Sequence, residues 1–247
     1  MPHVSPDASF AQTARSARES LKWLVLGALC CTLLSCRART DPSSSNEALG
    51  PPELGAAMAN LPRDRAFTAR LITDRGTLGC ELDPRGAPQA VALFVGFATG
   101  RARFRDPHTG KVASQPLYRN LPFTRGVRSV LIQSGDPVGD GSGQPGYRIA
   151  VETAANDAER LSAPGALVLA RYQVPPDRTD PNPPPAGQVL GSQFAVLLTD
   201  MRHLVGKVSV LGRCGDLELA REIAERVADG EPHTLLRVEL ADRTRPN

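Results

Sequence analysis

The spacing of apolar positions changes several times along this chain. Residues 23–34 form a largely apolar run, preceded by Arg15, Arg18 and Lys22, and residues 37–65 show no strand or helix period. Two strand-like pieces follow at 66–73 and 76–82, meeting at Asp74-Arg75, which reads as a tight hairpin turn. In 87–100 the period becomes helical: Val91, Phe94, Val95 and Ala98 share one face, Pro88 suits a first turn and Gly100 a stop. A polar loop is expected over 101–117, then a strand over 127–133 carrying Val130 and Leu131 and ending in the amide Gln133. Residues 165–171 read as a buried strand, and another strand begins at Phe194. A second helix is expected over 217–228, with Leu219, Ile223 and Val227 on one face, and a last strand over 235–240.

Composition narrows the classes of function. The chain has 247 residues, room for one large domain and a tail, and no internal repeat. A net charge of +3 with scattered basic residues, and only 4% aromatics, implies no nucleic-acid surface. The 22 prolines and 22 glycines gather in spacer and loops, as a loop-rich β protein requires. His108 has no metal partner at ligand spacing, so it reads as a solvated loop residue and no metal is expected.

The densest signal runs from 123 to 147, FTRGVRSVLIQSGDPVGDGSGQPGY. It holds the cation Arg125, the apolar pair Val130-Leu131, the amide Gln133, then Gly135-Asp136-Pro137 and a glycine-rich loop closed by Tyr147. A phosphate cradle is excluded, because no Gly-Lys-Ser/Thr follows and no helix opens there. Ser192 is no nucleophile, lacking both the Gly-x-Ser-x-Gly elbow and Asp and His partners. The order and spacing resemble the cyclophilins, the peptidyl-prolyl cis-trans isomerases. Gly191-Ser192-Gln193-Phe194 is a second matching motif, and the helix at 87–100, Glu152, 165–171 and 203–213 extend the likeness through most of 66–243. The resemblance implies a mainly β fold: a closed eight-stranded antiparallel barrel capped by two α-helices.

Residues 1–35 have the form of a secretory signal rather than a membrane span, since the apolar run is about a dozen residues long. The run ends Leu33-Leu34-Ser35-Cys36, similar to a bacterial lipobox, so Cys36 is the expected lipid attachment point after cleavage. More than one acyl chain there makes the membrane anchorage stable. Residues 36–65, rich in Ser, Pro, Gly and Ala, read as a flexible tether, 66–243 as the folded domain and 244–247 as a tail. The expected location is the bacterial cell envelope, facing the periplasm, as a monomer. A proline-rich excursion lies between Tyr172 and Gln188 and reads as a solvated loop. Cys80 and Cys214 remain in the folded part as buried thiols, with a disulfide in an oxidising compartment as the alternative.

Proline isomerisation needs no proton shuttle, metal or cofactor. The amide is held planar by resonance, with a barrier of roughly 18–20 kcal/mol, and a charged donor aimed at the prolyl nitrogen stabilises the twisted bond. By resemblance Arg125 is that donor, and Gln133, on the same face of an extended strand, holds the guanidinium or the substrate carbonyl. Gln193 and the backbone of Arg171, beside Ala170, would pair with the peptide flanking the proline. The slot for the proline ring differs from the family's: Val130 and Ala195 stand where it has phenylalanines, Leu131 where it has methionine, beside Leu204, with His203 replacing an edge tryptophan. The expected function is isomerisation of X-Pro bonds in proline-containing segments of exported proteins. The alternative is a weak or inactive cyclophilin-like peptide-binding or chaperone lipoprotein.

Overall fold

A computed structural model describes residues 49–170 and 188–241. The signal segment, Cys36, the first part of the tether, Arg171, most of the proline-rich excursion and the tail lie outside the described residues. The strands are β1 (Phe67–Thr73), β2 (Thr77–Leu82), β3 (Phe104–Arg105), β4 (Val112–Ala113), β5 (Arg119–Pro122), β6 (Arg125–Val127) and β7 (Leu131–Ser134). They continue with β8 (Arg148–Ala150), β9 (Ala166–Leu169), β10 (Gln188–Leu190), β11 (Phe194–Leu197), β12 (Ser209–Cys214) and β13 (Thr234–Ala241). The helices are α1 (Leu54–Ala57), α2 (Pro88–Thr99), α3 (Asp157–Ser162) and α4 (Leu217–Ala228).

Nine of the described strands form one sheet in the order β5-β13-β1-β2-β12-β9-β11-β7-β6, with every pairing antiparallel. The first and last strands of that order are consecutive on the chain, separated only by Phe123 and Thr124. The amide of Phe123 donates to the His233 carbonyl and that of Thr124 to the Gln133 carbonyl, so the ladder continues through the gap. The sheet therefore closes on itself. Counting β5 and β6 as one interrupted strand recovers the eight expected from the resemblance.

The period-2 rule operates with both faces covered. Leu167, Leu169, Phe194, Val196, Ile132 and Leu211 point into the interior cluster, which also takes in α2 and α4. Their neighbours Ala166, Val168, Ala195, Leu197, Leu131 and Val210 form a second, smaller cluster on the outer face. These strands read as continuous apolar runs because each face has its own cover.

Helix α2 is buried on every side from Ala90 to Ala98 rather than along one stripe. Pro88 opens it and Gly100, at φ 79°, ends it. Ala87 offers no capping side chain, so Glu152 does the work from a distance. Its carboxylate accepts from the amides of Gln89 (3.1 Å) and Ala90 (2.7 Å) at the positive end of the helix. In α4 the buried face is Ala220, Ile223 and Ala224, with Leu219 and Val227 at its margin.

Several sequence expectations change. The run 127–133 is not one strand but the turn of the β6–β7 hairpin, where residues 128–130 reverse the chain and Ser129 takes φ 58°. The tether is shorter than 36–65: α1 lies within it, and Ala57 and Met58 are buried against the barrel core. Arg101 fixes this strap by donating to the carbonyls of Ala57 and Ala59. The polar loop 101–117 contains the β3–β4 ribbon, and the polar stretch before Pro164 contains α3, whose Leu161 is fully buried under the outer cluster. Cys80 and Cys214 are not free thiols: they are directly opposed on β2 and β12 and joined by a disulfide.

Candidate active site

The hairpin correction changes how the site is assembled. Arg125 and Gln133 are direct partners across the β6–β7 ladder, and directly opposed residues show their side chains on the same face. The row continues across the sheet: Gln133 faces Ala195, Ala195 faces Val168, and Val168 faces Val210. A second row two residues away pairs Val127 with Leu131 and Leu131 with Leu197. Adjacent strands lie about 4.8 Å apart, so a cation and an amide stand at one end of an apolar row whose low point is an alanine.

Over these rows lies an open cleft of ≈ 390 Å³. Arg125 and Gln133 form its polar end, and Ala195, Ala170 and Val168 its floor. Leu131, Leu197 and Val208 wall it, and Met201, His203 and Leu204 rim it from the turn around Arg202–Leu204. His203 is exposed on that turn.

Gln133 is held by a chain of hydrogen bonds that starts in the glycine loop. The carbonyls of Gly141 and Gly143 both accept from Nε2 of Gln193, at 3.1 and 2.9 Å. The oxygen of the Gln193 amide is thereby turned to Gln133, whose Nε2 donates to it at 2.7 Å. With its NH2 committed to Gln193, the Gln133 amide has its oxygen as the end available to a guanidinium. Gln193 is 1% exposed, and both ends of its amide are used within the chain, its oxygen against Gln133.

The loop itself is folded around Asp136, which is fully buried. Its carboxylate accepts from the amides of Val138 (2.8 Å) and Gly141 (2.5 Å). A Cβ on Gly143 would fall 1.7 Å from Asp136 Oδ1, so only glycine lets the chain pass this close. Gly135, at φ 91°, is bound as tightly, since a Cβ there would meet the Ser192 carbonyl at 2.3 Å. That same carbonyl accepts from the Tyr118 hydroxyl at 2.7 Å. Burial pushes the Tyr118 hydroxyl well above its ordinary pKa, so it stays a donor. The rings of Phe94, Tyr118 and Phe194 pack together beneath, with centroids 5.1–5.4 Å apart, and seat the strand that carries Ala195.

The structure thus brings together Arg125, Val130, Leu131, Gln133, Ala170, Ala195, His203 and Leu204 around one cleft. Arg171 and Cys36 lie outside the described residues. Sequence reasoning passed over Val168, Leu197 and Met201. The first two were within reach, since each lies two residues from a named floor position (Ala170 and Ala195) and period 2 puts it on the same face. Among the described residues no cluster could hold a metal ion, and His108 is exposed beside a separate cleft behind the glycine loop.

Residues 68–242 match the family described as cyclophilin type peptidyl-prolyl cis-trans isomerase/CLD. The chain is 32% identical to peptidyl-prolyl cis-trans isomerase B of Streptomyces anulatus over 160 residues, 65% of this chain and 82% of that protein. It is 31% identical to peptidyl-prolyl cis-trans isomerase A of Mycobacterium tuberculosis (strain ATCC 25618 / H37Rv) over 177 residues, 70% of this chain and 88% of that one. Among solved structures, a cyclophilin type peptidyl-prolyl cis-trans isomerase of Cryptosporidium parvum superposes with a TM-score of 0.54 at 20% identity, covering 73% of this chain and 99% of that chain. With the barrel, the paired motifs and two bacterial relatives above 30% identity in agreement, the chain belongs to the cyclophilin-type peptidyl-prolyl cis-trans isomerases.

Proposed function

We propose that this chain isomerises X-Pro bonds in proteins outside the cytoplasm, assisting their folding, from a lipid anchor on Cys36. One observation carries the chemistry: Arg125 and Gln133 are ladder partners at the polar end of an apolar cleft whose floor is Ala195. The prolyl ring lies over that floor. The guanidinium then reaches the prolyl nitrogen as the amide twists and its lone pair becomes available, while the Gln133 oxygen holds the guanidinium in aim. A donor fixed before the bond turns costs no reorganisation at the barrier.

Relatives that carry the isomerase name support this reading of the activity. The Cys80–Cys214 disulfide supports the compartment, because such bonds persist where the surroundings are oxidising. The Leu-Leu-Ser-Cys sequence ending at Cys36 supports the anchor.

The purified full chain should accelerate cis-trans exchange of a short prolyl peptide, and Arg125→Ala should lower kcat/KM by about 10²–10³-fold, the usual effect of losing one preorganised donor. Equal activity in the two proteins would remove Arg125 from the mechanism. A rate no faster than the uncatalysed one in the parent protein would favour the second reading, a peptide-binding module. The aliphatic, ring-poor lining around Val130 and Ala195 is the feature that favours that alternative.

A further inference from the structure

Basic residues that look scattered over the whole sequence gather at one place in the fold. The stretch 101–119 holds Arg101, Arg103, Arg105, Lys111 and Arg119 against one carboxylate, Asp106, whereas 216–231 holds six carboxylates against two arginines. Arg101, Arg103 and Arg105 alternate with the buried Ala102 and Phe104, so period 2 turns all three cations to the outer side of the chain that enters the β3–β4 ribbon. The ribbon tip, 107–111, is exposed, and the Arg105 guanidinium lies along it, donating to the Gly110 carbonyl at 2.8 Å. Asp106 is committed to the turn, where its carboxylate accepts from the amides of His108 (2.8 Å) and Thr109 (3.1 Å). The ribbon is a cationic edge whose one acid is turned to its own backbone.

The described chain also begins at this edge. Leu49 and Arg105 both pack on Gly146, where a Cβ would lie 3.0 Å from Leu49 Cδ1 and 3.3 Å from Arg105 Cβ. The strap that follows is pinned by Arg101 through the carbonyls of Ala57 and Ala59. Leu49 follows Cys36 by 13 residues, and a chain of that length reaches at most about 45 Å. Each Lys or Arg brought within a Debye length of an anionic bilayer strengthens binding to it about fivefold. Resting on the lipid-anchor reading above, we propose that the β3–β4 ribbon is the face this domain lays on the bilayer, where Arg101, Arg103, Arg105 and Lys111 meet anionic phospholipid headgroups. None of these four lines the catalytic cleft. The ribbon tip instead borders the separate cleft behind the glycine loop, with Pro107 and His108 across from Asp136 and Pro137. A domain docked this way leaves Arg125 and its cleft open to protein substrates.

The test uses the purified full chain on vesicles of phosphatidylcholine alone and of phosphatidylcholine mixed with phosphatidylglycerol. Beyond Cys36 the sequence has two lysines, Lys111 on the ribbon and Lys207 beside the rim of the catalytic cleft, and both are exposed. A neutral amine-acetylating reagent therefore reports both faces in one protein. The ratio of Lys111 to Lys207 labelling should fall about fivefold or more on the anionic vesicles relative to the neutral ones. It should recover near 1 M salt, where screening shortens the reach of charge to about 3 Å. Arg103→Gln with Arg105→Gln removes two cations, keeps a donor for Gly110, and should weaken docking about 25-fold, so that the fall is lost. An unchanged unfolding midpoint verifies that this pair is folded, and should it not fold, the salt series decides alone. Arg221→Gln with Arg226→Gln removes the same charge from α4 and should leave the fall intact. Equal ratios on the two vesicles, as an acidic protein partner in place of lipid would give, would overturn the proposal. So would a fall that survives either high salt or the ribbon pair, or one that the α4 pair abolishes equally. The anchor is read separately, from the mass of the Cys36 peptide and retention on neutral vesicles. If Cys36 carries no lipid, the anchor reading fails, and the same labelling ratio on anionic vesicles decides the ribbon: a fall sustains it and a constant ratio ends it.

Discussion

Both hydrogens of the Gln193 amide go to loop carbonyls and its oxygen takes a hydrogen from Gln133, so it ties the glycine loop to the Gln133 side chain. Replacing it by alanine strips the donor from two buried carbonyls and unpins Gln133. We expect Gln193→Ala to cost about 1–3 kcal/mol of stability, read as a shift in the urea midpoint, because buried acceptors lose their partner. If the relay orients the catalytic pair, kcat/KM should also fall by about tenfold or more at temperatures where the variant is fully folded. A variant that is less stable but equally active would make Gln193 a loop staple only. At this scale the sequence was informative about identity but not about role. Arg125, Gln133 and Gln193 could be picked from the order of motifs, yet nothing in the sequence shows which end of an amide meets which carbonyl. Asp136 was visible only as part of a Gly-Asp-Pro string, and its place as the buried hub of the glycine loop depends on backbone amides that have no sequence signature.

Among the elements, β1, β2, β9, β13, the start of β11 and the two long helices could be located from period and punctuation, to within a residue or two at their ends. What failed was a turn. Residues 127–133 contain Arg128 and Ser129 between apolar residues and lack the glycine or asparagine that announces a hairpin, so the stretch passed as one strand. Arg125 and Gln133 meet all the same, through ladder register rather than along a strand. The strap was missed for a different reason. Leu54, Ala57, Met58 and Leu61 do have the i, i+3, i+4, i+7 spacing of a helix face, but prolines and glycines hide it in a segment that only tertiary contact makes helical. Gly126 gives the hairpin a testable dependence on α4. A Cβ there would lie 2.6 Å from the Ala224 carbonyl and 2.7 Å from Val227 Cβ, so helix and strand are in backbone contact beside Arg125. Gly126→Val should push α4 away and cost about 1–3 kcal/mol, with activity falling alongside stability. An unchanged melting temperature would contradict this packing. Glu152→Ala should act at the other helix, leaving the Gln89 and Ala90 amides without their acceptor at a loss of about 1–2 kcal/mol.

For the molecule as a whole, the ladder between β2 and β12 is short: three register pairs join the strands, and one of them is Cys80 with Cys214. The apolar cleft depends on this seam, since β12 carries Val210 at the end of the Arg125 row and Val208 just precedes it. The disulfide joins residues 134 apart, so it withdraws a long loop from the unfolded ensemble. The chain-entropy argument then assigns it as much as about 5 kcal/mol, and measured bridges of this kind more often give about 2–4 kcal/mol. Sequence placed both cysteines in the folded part but could not give the register that opposes them, and register is what turns two buried thiols into a bond. Unfolding the full chain in urea with and without a thiol reductant should therefore show a midpoint lower by that amount in the reduced protein. Cys80→Ser with Cys214→Ser should reproduce the shift and be indifferent to reductant. At 25 °C both forms should turn over a prolyl peptide at similar rates, because neither sulfur touches the cleft, but the reduced form should lose activity at a lower temperature. Coincident urea midpoints would mean that the three-pair seam holds without its covalent link, and would withdraw the support that the bond lends to an oxidising compartment.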